Sequence, residues 1–370
     1  MSKTHGAELS EVKLSATRRK WLPYFEAALL LLFIVLVFWH TTGGKTQAPP
    51  PPLPQAQEFI KRGDEYFAKQ DLGKAIIEYW RAIQAIEAAK SESPGATSGL
   101  NESLLHAHLR VAEIYFHSHW SEDARSHLER AAQIDPDYPG VHLLRGKLLR
   151  DDGETALAVQ ELLTVLKKEP SHAEAHYYLG VLYQGAKQYK EALAHYEKAV
   201  ENDPELEKLP FESAPIGLQA RLQLSRTYRR LIQDYQFTDR SLTAAEQAEV
   251  GKMEDKGIVV LEEAVRKDPN YAEAKQELIG LLYGRAAALG REGGKQRPYD
   301  EALKVYEHIV ALDQTEVDAW QWIGQINNSF MQDPEAALEA YKKAYQLHSD
   351  PGILAEIKSI EQDLKNVTNQ

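Results

Sequence analysis

The chain has 370 residues, of which 43% are hydrophobic, and this is enough apolar material for a large core. Its formal net charge of −12 argues against a general nucleic-acid-binding protein, because binding to a phosphate backbone requires clustered Lys and Arg. The sequence contains no Cys, which excludes disulfides, thiolate nucleophiles and Cys-bound metal sites.

The N-terminal part predicts a membrane anchor. Residues 21–40 are strongly apolar, with Trp21 and Trp39 near the two ends. As a helix, the stretch between these two tryptophans would measure about 28 Å, close to the thickness of a bilayer core. The basic run Arg18–Lys20 precedes it, so the positive-inside rule places residues 1–20 in the cytoplasm and the rest of the chain across the membrane. The alternative is a cleaved signal peptide, although no Ala-x-Ala site follows the stretch.

Residues 41–55 predict a linker. They include Pro49–Pro52 and Pro54, which favour an extended polyproline conformation. Such a segment would hold the following domain away from the membrane surface.

A pair of short amphipathic helices is predicted between Ala173 and Pro204. Small residues at Gly180 and Ala192 would allow the two backbones to approach closely, and Tyr196 would fill the space around them. The same pattern of small residues and proline recurs at intervals of 34 residues, at Gly146, Ala158 and Pro170 and again at Ala112, Ala124 and Pro136. This helix–turn–helix period resembles that of the tetratricopeptide repeat family.

The resemblance extends over residues 56–348, as about seven repeat units. Four inserts are expected to interrupt them, near residues 88–104, 205–215, 231–254 and 287–298. The third insert is expected to carry a helix of its own, Leu242–Val250, ahead of the repeat helix Asp255–Lys267. Residues 349–370 predict a polar capping helix and tail. The expected fold class is therefore all-α, an α-solenoid of tetratricopeptide-type helix pairs with an N-terminal transmembrane helix.

No catalytic motif stands out. GxSxG, HExxH, GxGxxG and a complete P-loop are all missing, so we expect a protein that is not an enzyme, with no catalytic residues and no cofactor. One repeat is rich in histidine, and we interpret these residues as surface side chains rather than a metal site, because a metal would need three or four of them to converge. They are His106, His108, His117, His119 and His127.

The family resemblance implies that a partner binds on the concave face, which is lined by the first helix of each pair. The candidate residues on this face are Lys147, Arg150, Tyr177, Gln184, Arg226, Arg229 and Arg230. The last three recur at i, i+3 and i+4 and so share one helix face. In an acidic protein such a basic stripe favours an acidic or extended segment of a partner protein, and the alternative is a set of ordinary solvated arginines. The Lys/Asn pattern by which repeats of chaperone co-factors clamp a C-terminal carboxylate is not matched.

The sequence therefore predicts a membrane-anchored scaffold that binds a partner protein, most simply at a bacterial inner membrane with the repeats facing the periplasm. Residues 21–40 would contact the lipid bilayer, no nucleic acid is expected as a partner, and self-association is left open. The alternative function is a chaperone-like or regulatory subunit that holds translocated client proteins at the membrane.

Overall fold

The computed structural model describes residues 52–92, 98–202, 214–236, 241–291 and 298–368. Within these ranges the chain forms fifteen α-helices and no strand, which confirms the all-α fold class. The helices are α1 Pro52–Ala68, α2 Leu72–Glu92, α3 Ser98–His117, α4 Ser121–Ile134, α5 Pro139–Asp151, α6 Thr155–Lys168, α7 Ala173–Gly185, α8 Tyr189–Glu201, α9 Ile216–Gln236, α10 Ala244–Lys267, α11 Ala272–Arg291, α12 Tyr299–Leu312, α13 Val317–Ile326, α14 Pro334–Leu347 and α15 Pro351–Thr368.

The predicted membrane anchor, residues 21–40, lies outside the described residues, as do the N-terminal tail and residues 41–51 of the linker. Among the helices that the structure does describe, none combines the length and the apolarity that crossing a bilayer requires.

The chain divides into two compact units with a boundary at Val141/His142, inside α5. In the first unit α2 packs between α1 and α3, and α3 packs on α4. In the second unit the helices pack as successive pairs, and α15 covers the last pair. Ile353, Ile357 and Ile360 of α15 are buried against α14, while most of its other side chains face solvent. An amphipathic terminal helix of this kind protects the apolar end of a repeat array from water.

A small residue of the first helix faces a large side chain of the second helix in each regular pair. A Cβ atom added at Gly180 would lie only 2.6 Å from the Tyr196 ring, and one at Gly63 would lie equally close to Tyr79. The large residue follows the glycine by 16 positions in both pairs. Both tyrosines are completely buried, so this contact between backbone and ring forms the centre of each repeat.

The turn between the two helices of a pair is also repeated. In the pair α7/α8, Lys187 adopts a left-handed conformation with φ of 60°, and the Gln188 N–H donates to the Tyr183 carbonyl at 2.9 Å. Gln70, His119 and Gly153 occupy the equivalent position with positive φ in three other pairs. A left-handed residue here closes the end of the first helix and satisfies its last carbonyl groups.

The last pair, α13/α14, differs by one additional residue. Its glycine and tyrosine, Gly324 and Tyr341, are 17 positions apart rather than 16. A single π-helical turn, Asn327–Met331, follows α13, and the Asp333 N–H donates to the Asn327 carbonyl at 3.0 Å, six residues back instead of five. A π-helical turn accommodates one inserted residue within a helix. The inserted residue is thereby absorbed before α14 starts, and Gly324 still meets the Tyr341 ring, at 2.9 Å from an added Cβ.

The structure corrects the prediction of a separate insert helix at Leu242–Val250. Residues 244–267 form one continuous helix, α10, which starts at a capping box between Thr243 and Glu246. Gly251, in the middle, costs about 1 kcal/mol of helix stability, too little to interrupt a helix that is anchored on both sides. Val250 and Ile258 provide that anchoring, because both are buried.

The structure describes parts of the first and fourth expected inserts as extensions of the neighbouring helices. Helix α2 continues to Glu92 and α3 begins at Ser98, so most of 88–104 is helical. Ala89 and Leu100 are buried, and their burial extends these helices beyond the regular repeat length. Helix α11 likewise extends into the fourth insert as far as Arg291. Residues 203–213, most of the second insert, lie outside the described ranges.

Candidate protein-binding face

The seven predicted binding residues all lie on three first helices, α5, α7 and α9, of the second unit. The structure assigns partners to them that the sequence did not reveal, and most of these partners are on the first helix of the next pair.

Lys147 and Arg150 of α5 lie around one aromatic ring of α7. The Lys147 ammonium lies 5.2 Å from the centre of the Tyr178 ring, and the Arg150 guanidinium lies 4.6 Å from it. Lys147 is 97% buried, since its exposed fraction is 3%, and it donates to Glu174 at 2.9 Å. A buried lysine requires such compensation, because an unpaired ammonium would lose its hydration without replacement. Lys147 is therefore a structural residue rather than a freely accessible cation.

Arg226 and Arg229 of α9 converge in the same way on Glu277 of α11. The shortest ion-pair distances to its carboxylate are 3.4 Å from Arg226 Nε and 2.9 Å from Arg229. The Glu277 side chain is 9% exposed, whereas those of the arginines are 38% and 45% exposed. Arg230 is exposed and donates to Gln233 at 3.2 Å. Among the three arginines of the predicted basic stripe, Arg230 is therefore the one whose charge is most accessible to a partner.

The two arrangements occupy equivalent positions of the repeat. Alignment of α7 with α11, Ala173 with Ala272, places Tyr178 opposite Glu277. Both are contacted by two cations that are three residues apart on the preceding first helix. We call these groups, Lys147/Arg150/Tyr178 and Arg226/Arg229/Glu277, the inter-repeat clasps. Sequence reasoning missed both Tyr178 and Glu277, and the regular 34-residue register would have paired only Tyr178 with the preceding cations.

Tyr177 and Gln184 also connect consecutive first helices. The Tyr177 hydroxyl donates to Gln219 at 2.9 Å, and the Gln184 amide donates to Thr227 at 3.2 Å. Tyr177 is 9% exposed. These two predicted residues therefore contribute to stacking α9 on α7, and they offer a partner less surface than the arginines do.

Histidine pairs occupy a second repeated position, and the prediction that His108 and His127 lie on the surface is wrong, because both are buried. His108 and His127 approach each other with their Nδ1 atoms 3.0 Å apart, and His176 and His195 do the same at 3.0 Å. In the pair between them along the sequence, His142 Nδ1 lies 2.6 Å from the Glu161 carboxylate. The two partners of each pair are 19 residues apart. The sequence indicates these pairs through the 34-residue spacing of their first histidines.

The pairs His108/His127 and His176/His195 stay neutral near pH 7. Burial, reinforced by nearby positive charge, lowers the pKa of both His108 and His127 to about 4, and burial with the neighbouring His176 lowers the pKa of His195 to about 4. The His176 Nε2 atom lies 2.9 Å from the Pro170 carbonyl and must donate to it, so His176 Nδ1 accepts the proton of His195. In the described parts of the chain no three His, Asp or Glu side chains converge as a metal site would require.

Comparison with known proteins gives the following matches. Residues 143–207 and 317–350 each match a family model described as tetratricopeptide repeat. No curated protein matches the chain significantly.

Solved structures with limited similarity come from several organisms. The C-terminal part of a TPR repeat-containing protein from Cytophaga hutchinsonii is 14% identical, with a TM-score of 0.47, over 80% of this chain and 99% of that one. Yeast Tom70 is 15% identical, with a TM-score of 0.44, over 88% of this chain and 67% of that one. PilF of Pseudomonas aeruginosa is 16% identical, with a TM-score of 0.41, over 71% of this chain and 99% of that one.

The family-model matches cover two of the three pairs whose glycine–tyrosine contacts are described above, α7/α8 and α13/α14. Residues 143–207 and 317–350 are therefore similar to tetratricopeptide repeats, and proteins built from such repeats mediate protein–protein interactions.

Proposed function

We propose that this protein is a non-enzymatic, membrane-anchored scaffold that binds a segment of a partner protein along the first helices of its repeats. Residues 21–40 would anchor it in a bacterial inner membrane, and the repeats would lie in the periplasm as part of a cell-envelope assembly. The apolar stretch and the basic residues before it support the anchor and its direction. Because an anchored scaffold and its partner share one membrane surface, each contact can be weak and still be occupied.

The observation that carries the binding proposal is the arginine surface of α9. Arg226 and Arg229 are more than one-third exposed, and Arg230 lies one turn from Arg226 on the same helix. An acidic or extended segment can bond Arg230 directly and can compete with Glu277 for the outer guanidinium nitrogens of its neighbours. Guanidinium groups suit this role because they bind carboxylates through two parallel hydrogen bonds.

Charge reversal on α9 tests the binding proposal. We expect Arg226→Glu combined with Arg230→Glu to abolish crosslinking to the membrane partner that mass spectrometry identifies for the unmodified chain. The matched control is Arg266→Glu on α10, which changes a 73% exposed arginine away from this surface and should leave the crosslinks in place. Equal crosslinking by all three proteins, with unchanged helicity, would contradict the proposal.

Reporter fusions test the topology separately. Alkaline phosphatase is active only outside the cytoplasm, so a fusion after Val367 should be active and one at Thr17 inactive. An active cytoplasmic reporter at the C-terminal position would overturn the periplasmic location.

A further inference from the structure

The last repeat exposes an apolar surface that none of the predicted binding residues touches. Trp322 of α13 and Phe330 of the π-helical turn are each 45% exposed, and Met331 is 44% exposed. The Trp322 ring is stacked on Tyr306 at 5.8 Å between centroids, and the Phe330 ring is stacked on Tyr299 at 3.5 Å. Tyr299 and Tyr306 are two turns apart on α12, so Trp322 and Phe330 lie against the same side of that helix.

Trp322 occupies the position that Tyr178 and Glu277 occupy in the two inter-repeat clasps. Alignment of α7 with α13 on Gly180 and Gly324 pairs Tyr178 with Trp322. In both clasps this position is covered by two cations from the preceding first helix. A tryptophan is the best aromatic acceptor for a cation among the side chains.

The described side chains of the preceding first helix, α11, include no cation at Trp322. The positions equivalent to Lys147 and Arg150 are Gly280 and Tyr283. An added Cβ at Gly280 would meet nothing within 4 Å, so the space that Lys147 fills in its own clasp is open here. The Tyr283 hydroxyl donates to Glu316 at 3.0 Å and is engaged at the start of α13. In the part of the chain that the structure describes, no Lys or Arg is found over the Trp322 ring.

Among the described residues, the charges on the two helices that form this surface are mostly negative. Helices α12 and α13 together carry four carboxylates and one lysine, Lys304. Asp318 lies one turn before Trp322, and Asp300 and Glu301 directly follow Tyr299. All three are exposed, and the described residues provide no cation in an ion pair with them. Among the described residues, the surface therefore combines an aromatic platform with carboxylates that take part in no ion pair.

We propose that the Trp322 surface binds a basic, extended segment of a partner protein. A Lys or Arg of that segment takes the open place beside Gly280 and lies over the Trp322 ring, which completes the clasp that the described residues leave without cations. An adjacent apolar side chain of the same segment packs on Phe330 and Met331. A second copy of this chain is a poorer occupant, because both copies would carry a net charge of −12. This site is distinct from the arginine surface of α9 and accepts the opposite charge.

Selection from a phage-displayed library of random 12-residue peptides tests the proposal on the full-length chain in detergent micelles. We expect the recovered peptides to carry Lys or Arg next to an aliphatic or aromatic residue. A synthetic copy of a recovered peptide should bind at least about fivefold more weakly when its basic residues are changed to Gln. The same loss is expected for the unmodified peptide binding to Trp322→Leu.

Two further variants make the result specific. Gly280→Lys supplies an internal cation over Trp322, so it should weaken the peptide about fivefold without lowering the thermal stability. Arg226→Glu with Arg230→Glu should leave this peptide's affinity unchanged, which separates the present site from the proposed function. Recovery of peptides without basic residues, no recovery, equal affinity for Trp322→Leu, or self-association through this surface would each overturn the proposal.

Discussion

The fourth repeat, α7/α8, and the last repeat, α13/α14, bury the same kind of contact with different numbers of residues. In the fourth repeat the connection between Gly180 and Tyr196 contains a left-handed turn of minimal length. In the last repeat the connection between Gly324 and Tyr341 has one residue more, and the π-helical turn absorbs it. The comparison shows that the contact between glycine and ring is maintained at the expense of regular helix geometry. The additional residue changes the surface instead, where it exposes Phe330 and Met331.

Deletion of one residue from each of the two turns should give the largest difference in stability between the two repeats. Deletion of Lys187 removes the left-handed residue and rotates Tyr196 away from Gly180, which should cost more than about 3 kcal/mol, comparable to removing a buried aromatic side chain. Deletion of Ser329 shortens the last repeat to the regular spacing and should change stability by less than about 1 kcal/mol. Urea unfolding followed by circular dichroism measures both. Equal losses would mean that the π-helical turn is needed for the fold.

Alanine substitutions at two glycines should give the next largest difference in stability. Gly180→Ala places a methyl group 2.6 Å from the Tyr196 ring, and the resulting overpacking should cost about 1–3 kcal/mol. Gly280→Ala is the matched control, because its added Cβ meets nothing within 4 Å and alanine favours the helix by about 1 kcal/mol. Thermal unfolding of both variants should therefore shift in opposite directions. A destabilised Gly280→Ala would show that the space around Gly280 is occupied.

Acidification should reduce the local stability of the fourth repeat by about 1–2 kcal/mol more than that of the last repeat. The fourth repeat contains His176 and His195, whose equivalents in the last repeat are Trp320 and Ala340. The unfolded chain protonates histidine near pH 6.5, whereas burial, reinforced by the neighbouring His176 and Lys198, keeps the folded pKa of His195 at about 4. The unfolded state thus binds more protons between these values, so stability is complete above about pH 6.5 and declines as the pH falls towards 4.

Hydrogen exchange at pH 7 and pH 5, corrected for intrinsic rates, measures this difference locally. Protection should fall in α7 and α8 and stay nearly constant in α13 and α14. His195→Gln retains a polar partner for His176 without titrating in this range and should flatten the response of the fourth repeat. An equal fall in both repeats would assign the pH dependence to other groups.

Removal of the exposed aromatic ring should have the smallest effect. Phe330→Ser abolishes the stack on Tyr299, and a half-exposed aromatic pair of this kind contributes about 1 kcal/mol. Tyr196→Ala, in the completely buried position of the fourth repeat, should instead cost about 3–5 kcal/mol. A large loss for Phe330→Ser would indicate that this ring stabilises the repeat rather than forming part of a binding surface.

Much of the fold was predictable because the repeat is encoded in small residues with a fixed spacing. Gly180, Ala192 and Tyr196 predict a close helix pair without knowledge of any neighbour, since few side chains fit where two backbones nearly touch. The continuous helix α10 was not predictable in this way. Its central Gly251 looks like an interruption in sequence, and only the burial of Val250 and Ile258 on the neighbouring structure shows that the helix continues.

The sequence by itself determined the helical pairs, their period and the clustering of arginines on one face of α9. Only the tertiary structure decided how those charges are used, because Glu277 is 51 residues from Arg226 along the chain and the irregular repeats hide their register. The exposure of Trp322 was likewise decided by the tertiary structure, because it depends on which side chains of the preceding first helix cover its ring. Local spacing specifies which side of a helix a residue occupies, whereas the partner on that side depends on how successive repeats stack.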